Sequence, residues 1–156
     1  MNIFYLDTDI TLCAQYHCDK HVSKMILETA QLLSTAHRMA GNDNQKLYKA
    51  THKNHPSAVW VRENKNQYQW AYELMKELNR EYSLRYGRQH LSWTKLNTIL
   101  STSPDIPDGE FTPPPQCMPD EYKDSDTVTA YRNYYIGGKS GFAKWQYTPT
   151  PEWYKL

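Results

Sequence analysis

With 156 residues, the chain has the length of one domain and can bury a core of its own. No run approaches the roughly 18 consecutive apolar residues of a membrane span, the opening MNIFYLDTD lacks the basic-then-apolar order of a secretory signal, and Cys13, Cys18 and Cys117 form no CxxC pair, which argues against a cysteine zinc knuckle and a disulfide framework. The net charge of +1 conceals 13 Lys/Arg against 9 Asp/Glu in residues 1–103, one against seven in residues 104–126, and four against one in residues 127–156, a balance that permits nucleic-acid binding but falls short of a strong nonspecific DNA binder.

NIFYLD, residues 2–7, alternates weakly and reads as a short strand or an extended arm. Thr8 or Asp9 can cap a helix that begins near Ile10 and runs to Ala40, with Gly41 as its stop and a possible break near Cys18 and Asp19. Residues 41–53 read as a polar loop. Pro56 suits the first turn of a second helix behind Asn54 or His55. The three-and-four spacing of Tyr68, Ala71, Tyr72, Met75, Leu78 and Tyr82 carries that helix to about Tyr86, and Gly87 ends it. Ser92 is placed to cap a shorter helix through about Leu100.

Residues 104–126 contain six prolines, three of them consecutive at 113–115, so this stretch is a surface strap or a mobile loop. Asp126 can cap a last helix, TVTAYRNYYI, closed by Gly137 and Gly138. An aromatic and basic tail, residues 139–156, follows. The expected fold is all-α: a single helical domain, residues 1–156, of three to five helices with a long Pro-rich loop.

The segment QYHCDKHVSKMILETAQLLSTAHR, residues 15–38, poses the functional question. On one helix, His17, His21, Lys24, Glu28, Gln31, Thr35 and Arg38 fall in a band roughly 100° wide, and apolar residues occupy most of the remainder. The band is either a solvated stripe with an ordinary Lys24–Glu28 pair or the lining of a reactive cleft. In a dry cleft among other cations an amine is more easily neutral, and a neutral amine attacks a carbonyl-like carbon to form a Schiff base. Glu28, Asp19 or a histidine would then move protons. A metal reading puts one ion between His17 and His21 and a carboxylate, with the nearby Lys24 against it.

A second cluster, THKNHPSAVWVREN, places His52, Asn54, His55 and Arg62 around a helix start, where free N–H groups favour phosphate; the alternative is that Asn54 or His55 is simply a cap. RYGRQH adds the basic or titratable Arg85, Arg88 and His90 at the other end, with Tyr86 between them. With Lys144 and Lys155 these could track a nucleic-acid backbone, or they could be an ordinary solvated helix end.

The combination of AQYHCDKHV, KNHP, a long helix ending in RYG, and a terminal EWYK resembles the phage pyrimidine-dimer DNA glycosylase/lyase family of the endonuclease V type. The resemblance implies a single all-α domain with a short N-terminal arm, a first helix that carries catalytic residues, and an aromatic-basic tail. Tyr16 matches the family tyrosine, His17 and His21 stand where arginines are expected, and the family glutamate falls at Cys18, with Asp19 the nearest carboxylate. The family attacks through a terminal amine exposed by removal of Met1. Residue 2 is Asn here, too large for efficient removal, so Lys24 is expected to supply the amine unless Met1 is removed by other means. The layout is also similar to small proteins common in tailed-phage genomes, which implies the cytoplasm of an infected bacterium.

The leading expectation is therefore an enzyme acting on a damaged or modified pyrimidine in DNA, with no cofactor. Lys24 is the nucleophile or electrostatic stabiliser, Glu28 or Asp19 the acid/base, and His17 and His21 contact phosphate or sugar. Trp60, Tyr86, Trp153 or Tyr154 fills the gap left by an extruded base. The alternatives are a His/carboxylate metal enzyme acting on nucleic acid or nucleotides and a non-catalytic protein whose residues 104–126 bind a host protein.

Overall fold

Residues 2–7 form an extended arm rather than a strand. Ile3, Phe4, Tyr5 and Leu6 are all buried, and Arg132 fixes the arm by donating to the Leu6 carbonyl (2.9 Å) and pairing with Asp7 (2.9 Å). The computed structural model describes residues 2–156. Six α-helices follow the arm: α1 (Ile10–Tyr16), α2 (Asp19–Met39), α3 (Pro56–Val61), α4 (Lys65–Tyr86), α5 (Leu91–Leu100) and α6 (Thr127–Gly138). There is also one 3-10 turn at Asp120–Tyr122, and the described residues contain no strand. No helix among them is long and apolar enough to cross a membrane.

Two of the expected helices are each divided by a break, which brings the number of α-helices to six. The first expected helix divides at His17 and Cys18, and the second at Arg62–Asn64, where Asn64 caps α4 by accepting from Gln67 N–H. Asp9 caps α1 and Asp126 caps α6, as their types and places favour. His90, not Ser92, caps α5: its Nδ1 accepts from Ser92 N–H (3.1 Å). Gly41 and Gly87 take positive φ at the ends of α2 and α4. Gly137 and Gly138 are the last two residues of α6, which ends at Gly138. A Cβ on Gly137 would collide with the Tyr122 ring, and one on Gly138 would stand 2.7 Å from the Tyr134 ring. Gly137 leaves room for Tyr122 of the 3-10 turn to lie against α6, and Gly138 leaves room for the Tyr134 ring of α6 itself.

The core is the seam between α2 and α4, closed by α1, α3 and α5. Val22, Ile26, Leu33, Met75, Leu78, Leu96 and Leu100 are almost wholly buried there. The arm and α6 add a second, aromatic layer of Phe4, Tyr131 and Tyr135 over the start of α2.

The proline-rich stretch is a strap, not a mobile loop. Lys65 N–H donates to the Pro107 carbonyl, Asn64 Nδ2 to Glu110, Trp60 Nε1 to Thr112 and Asn2 Nδ2 to Cys117. Tyr131 donates its hydroxyl to the Pro115 carbonyl. The centre of the attachment is Gln67, fully buried, whose Nε2 donates to the Trp60 carbonyl (2.7 Å) while Oε1 accepts from the N–H and hydroxyl of Thr112. Gln67→Leu leaves those groups unpaired in a dry site. A loss of about 2 kcal/mol is expected in urea unfolding, with faster hydrogen exchange at Thr112. Unchanged exchange there would show that the strap does not depend on this amide.

Candidate nucleic-acid interface

The polar band on α2 has a structural explanation for most of its length. Thr35 Oγ1 donates to the Thr51 carbonyl and accepts from its N–H. Arg38 donates to the carbonyls of Leu47 and Tyr48. These side chains hold the irregular loop 41–53 against the helix, which is why an otherwise apolar helix carries them.

His17 and His21 are buried as well. His17 sits in the break between α1 and α2. Its Nδ1–H donates to the Cys13 carbonyl (2.7 Å), and its Nε2 is enclosed without a hydrogen-bond partner. Burial lowers its pKa to about 4, with Arg85 acting in the same direction. His21 stacks on Phe4 at 4.3 Å and faces Tyr135, whose hydroxyl lies 2.7 Å from Nδ1. The same hydroxyl accepts from Cys18 N–H. The buried tyrosine proton therefore goes to His21 Nδ1, the acceptor beside it. Burial, then His17 and the lysines 139, 24 and 20, lower the His21 pKa to about 2. Neither ring reaches a phosphate or sugar. The described residues contain no group of three His, Cys, Asp or Glu side chains arranged to hold a metal ion, so the two imidazoles and a carboxylate do not form the metal centre considered above.

His21, Lys24 and Glu28 do not converge in a dry hollow. Lys24 is 59% exposed, so its ammonium stands in water at the lip of an open depression. Glu28 lies largely within the protein, at 13%, with its Oε2 3.8 Å from Lys24 Nζ, and its charge acts on His55. Asp19 is committed elsewhere: Oδ1 accepts from Arg85 (3.1 Å) and Oδ2 from Gln146 N–H (2.8 Å).

The depression has a volume of about 380 Å³ and is lined by Asp19, Lys20, Ser23, Lys24, Tyr82, Tyr86 and Arg88. A smaller hollow beside it shares Tyr82 and Arg88 and adds Gln89, His90 and Leu91. Tyr82 meets Tyr86 at a tilt (5.0 Å) and His90 edge-on (5.1 Å), and Tyr86 meets the exposed Tyr147 of the tail at 5.4 Å. The result is one surface with three cations, Lys20, Lys24 and Arg88, among three tyrosine rings.

Of the expected backbone-contact residues, Tyr86 and His90 belong to this surface. Arg85 does not: its side chain is 1% exposed and is bound to Asp19, Glu81 and the Gln15 and His17 carbonyls. His55 caps α3, accepting from Ser57 N–H, and Asn54 is exposed in the turn before it. Arg62 lines a separate hollow near Asp105. Trp153 and Tyr154 pack inward, Trp153 against Tyr16 and Tyr135, and Tyr154 against Trp145. Trp60 is buried. Of the four rings considered for filling a base gap, Tyr86 alone is exposed above a third of its surface.

Lys20, Tyr82 and Tyr147 carry no sequence signal for this surface: Lys20 lies just off the band, Tyr82 continues the apolar repeat of α4, and Tyr147 sits in the tail. Arg88, one of the basic side chains of RYGRQH, does line it. Met1, on which the terminal-amine question turns, lies outside the described residues. Among known proteins, no family model, no curated sequence and no solved structure matches this chain.

Proposed function

We propose that the protein binds DNA across the Lys20–Lys24–Arg88 surface and acts there on a damaged or modified pyrimidine as a glycosylase/lyase-like enzyme. The observation that carries the reading is the conjunction, in one open depression, of cations suited to phosphates with tyrosine faces suited to bases. The Lys24 amine has the Glu28 carboxylate 3.8 Å away. In its neutral form Nζ attacks C1′ of the nucleotide, the C1′–N bond breaks, and the base departs with the bonding electrons and then takes a proton. Opening of the sugar ring, with a proton delivered to O4′, leaves an imine between C1′ and Lys24. Glu28 is the acid/base placed to move these protons. Tyr86, the exposed ring at the rim, fills the space of the displaced base.

Borohydride reduction on a duplex containing an abasic site tests the chemistry. A covalent adduct is expected with the native chain and is lost in Lys24→Ala; an adduct that survives this substitution places the amine elsewhere, and none at all removes the lyase step. Binding is tested separately. Arg88→Ala is expected to lower the slope of log K against log salt by about 1, and an unchanged slope removes Arg88 from the interface.

A further inference from the structure

A hollow of about 520 Å³ lies on the opposite side of α4 from the surface just described. Asn66, Gln69, Trp70 and Glu73 come from the first half of α4, Thr8 and Ile10 from the start of α1, and Phe111 from the strap. Residues 73 and 82 are nine apart on one helix, a rotation of roughly 180° at 100° per residue, so this hollow shares no wall with the tyrosine–lysine surface.

Its chemistry is also different. Trp70 and Phe111 are half-buried rings with centroids 5.5 Å apart and planes at 41°. They are backed by Tyr5 and Trp60, which meet Trp70 edge-on. Four aromatic rings thus form a rigid wall with the Trp70 and Phe111 rings at its outer edge. Glu73 stands at the rim; Gln69 Nε2 donates to it (3.3 Å), and no described cation pairs with it. The strap adds Asp108, its side chain 94% exposed, and the exposed Glu110 next to Phe111, and Lys65 is the one cation set against them. Residues 104–126 as a whole carry seven acids and one lysine.

We propose that this hollow is a docking site for a basic segment of a partner protein, with an arginine side chain laid on the Trp70–Phe111 wall and held by Glu73. An aromatic face attracts a cation through its quadrupole. Guanidinium is planar and weakly hydrated, so it stacks where ammonium does not, and a carboxylate at the edge of the ring supplies a charge-assisted acceptor. The acidic strap gives such a segment long-range attraction, and the same charge repels nucleic acid. Glu73 and Phe111 lie 38 residues apart in the chain, and the strap's attachment through Gln67 brings them to one rim.

The test is a titration of the full chain with a hexa-arginine peptide, followed by the Trp70 indole N–H resonance and by tryptophan fluorescence. The expected result is a saturable shift of Trp70, a weaker response to hexa-lysine, and none to hexa-glutamate. Glu73→Gln, a partly exposed substitution that removes no core contact, is expected to reduce hexa-arginine affinity roughly tenfold. Asp120→Asn, on the same strap at 95% side-chain exposure and outside the hollow, is expected to change it less than twofold. An unmoved Trp70 resonance overturns the proposal. So do equal losses in the two variants, which indicate diffuse attraction to the strap, and a Trp70 shift produced equally by duplex DNA, which indicates a second nucleic-acid surface.

Discussion

Replacing Arg85 with methionine is expected to destabilise the fold by about 3–5 kcal/mol, the range for removing one partner of a buried ion pair. The guanidinium is buried and every polar direction is used. Nη2 donates to Glu81 (3.0 Å) and the Gln15 carbonyl, Nη1 to Asp19 (3.1 Å) and the His17 carbonyl, and Nε to Glu81. Methionine fills much of the volume but leaves two carboxylates facing one another and two carbonyls without donors. Such a loss is a large fraction of the roughly 5–15 kcal/mol typical of a domain. Arg85→Lys should recover only part, because a single ammonium cannot reach a five-bond fork. Urea midpoints of the two variants measure this, and a change below about 1 kcal/mol for methionine would mean that water enters and replaces the guanidinium. The consequence extends to the proposed DNA surface. Arg85 clamps the end of α4 to the break between α1 and α2, and Tyr86, Arg88, Lys20 and Lys24 lie on the two sides of that clamp.

Arg85 also shows where reading a sequence stops. Its partners at positions 15, 17 and 19 are 66 to 70 residues away, and no local pattern separates a buried guanidinium from a phosphate-binding one. What local chemistry determines was legible. Asp9, Pro56, Gly41, Gly87 and Asp126 each mark a helix end because a cap or a left-handed turn depends on a few adjacent residues. The break at His17 and Cys18 was only half legible, since Asp19 signals a start but nothing marks a stop. The helical band failed for that reason: drawn as one continuous line, it set His17 beside Lys24, whereas the break turns His17 into the core. The roles of Thr35 and Arg38 required the loop 41–53 to be in place, and the tail tryptophans required α6. The two hollows assemble from elements distant in the chain, so their separate residues were visible in the sequence but their grouping was not.

The buried imidazoles lead to the second large effect, loss of stability in mild acid. In the unfolded chain a histidine titrates near 6.5, whereas in the fold His17 is held to about 4 and His21 to about 2, by burial first and neighbouring positive charge second. Burial also lowers His37, His55 and His90. The native state thus binds fewer protons than the unfolded state wherever pH lies below about 6.5, and stability must fall as pH falls through that window. Each proton excluded contributes about 1.4 kcal/mol per pH unit, so His17 and His21 together remove roughly 5 kcal/mol between pH 7 and pH 4.5. Above pH 7 the two contribute no slope. The structural reason lies in their hydrogen bonds: protonated His21 gives up the lone pair that receives the Tyr135 proton, and protonated His17 puts a charge at an Nε2 with nothing to accept from it. Urea midpoints from pH 7.5 to 4.5 should decline steadily through the range where surface carboxylates are still ionised. His17→Gln removes one titration and should reduce the decline by roughly 2.5 kcal/mol, half of the share carried by His17 and His21, whatever its own cost at pH 7. A midpoint that holds constant down to pH 5 would mean that water reaches both rings, and the dry aromatic layer formed by Phe4, Tyr131 and Tyr135 would then not be the environment that sets their charge.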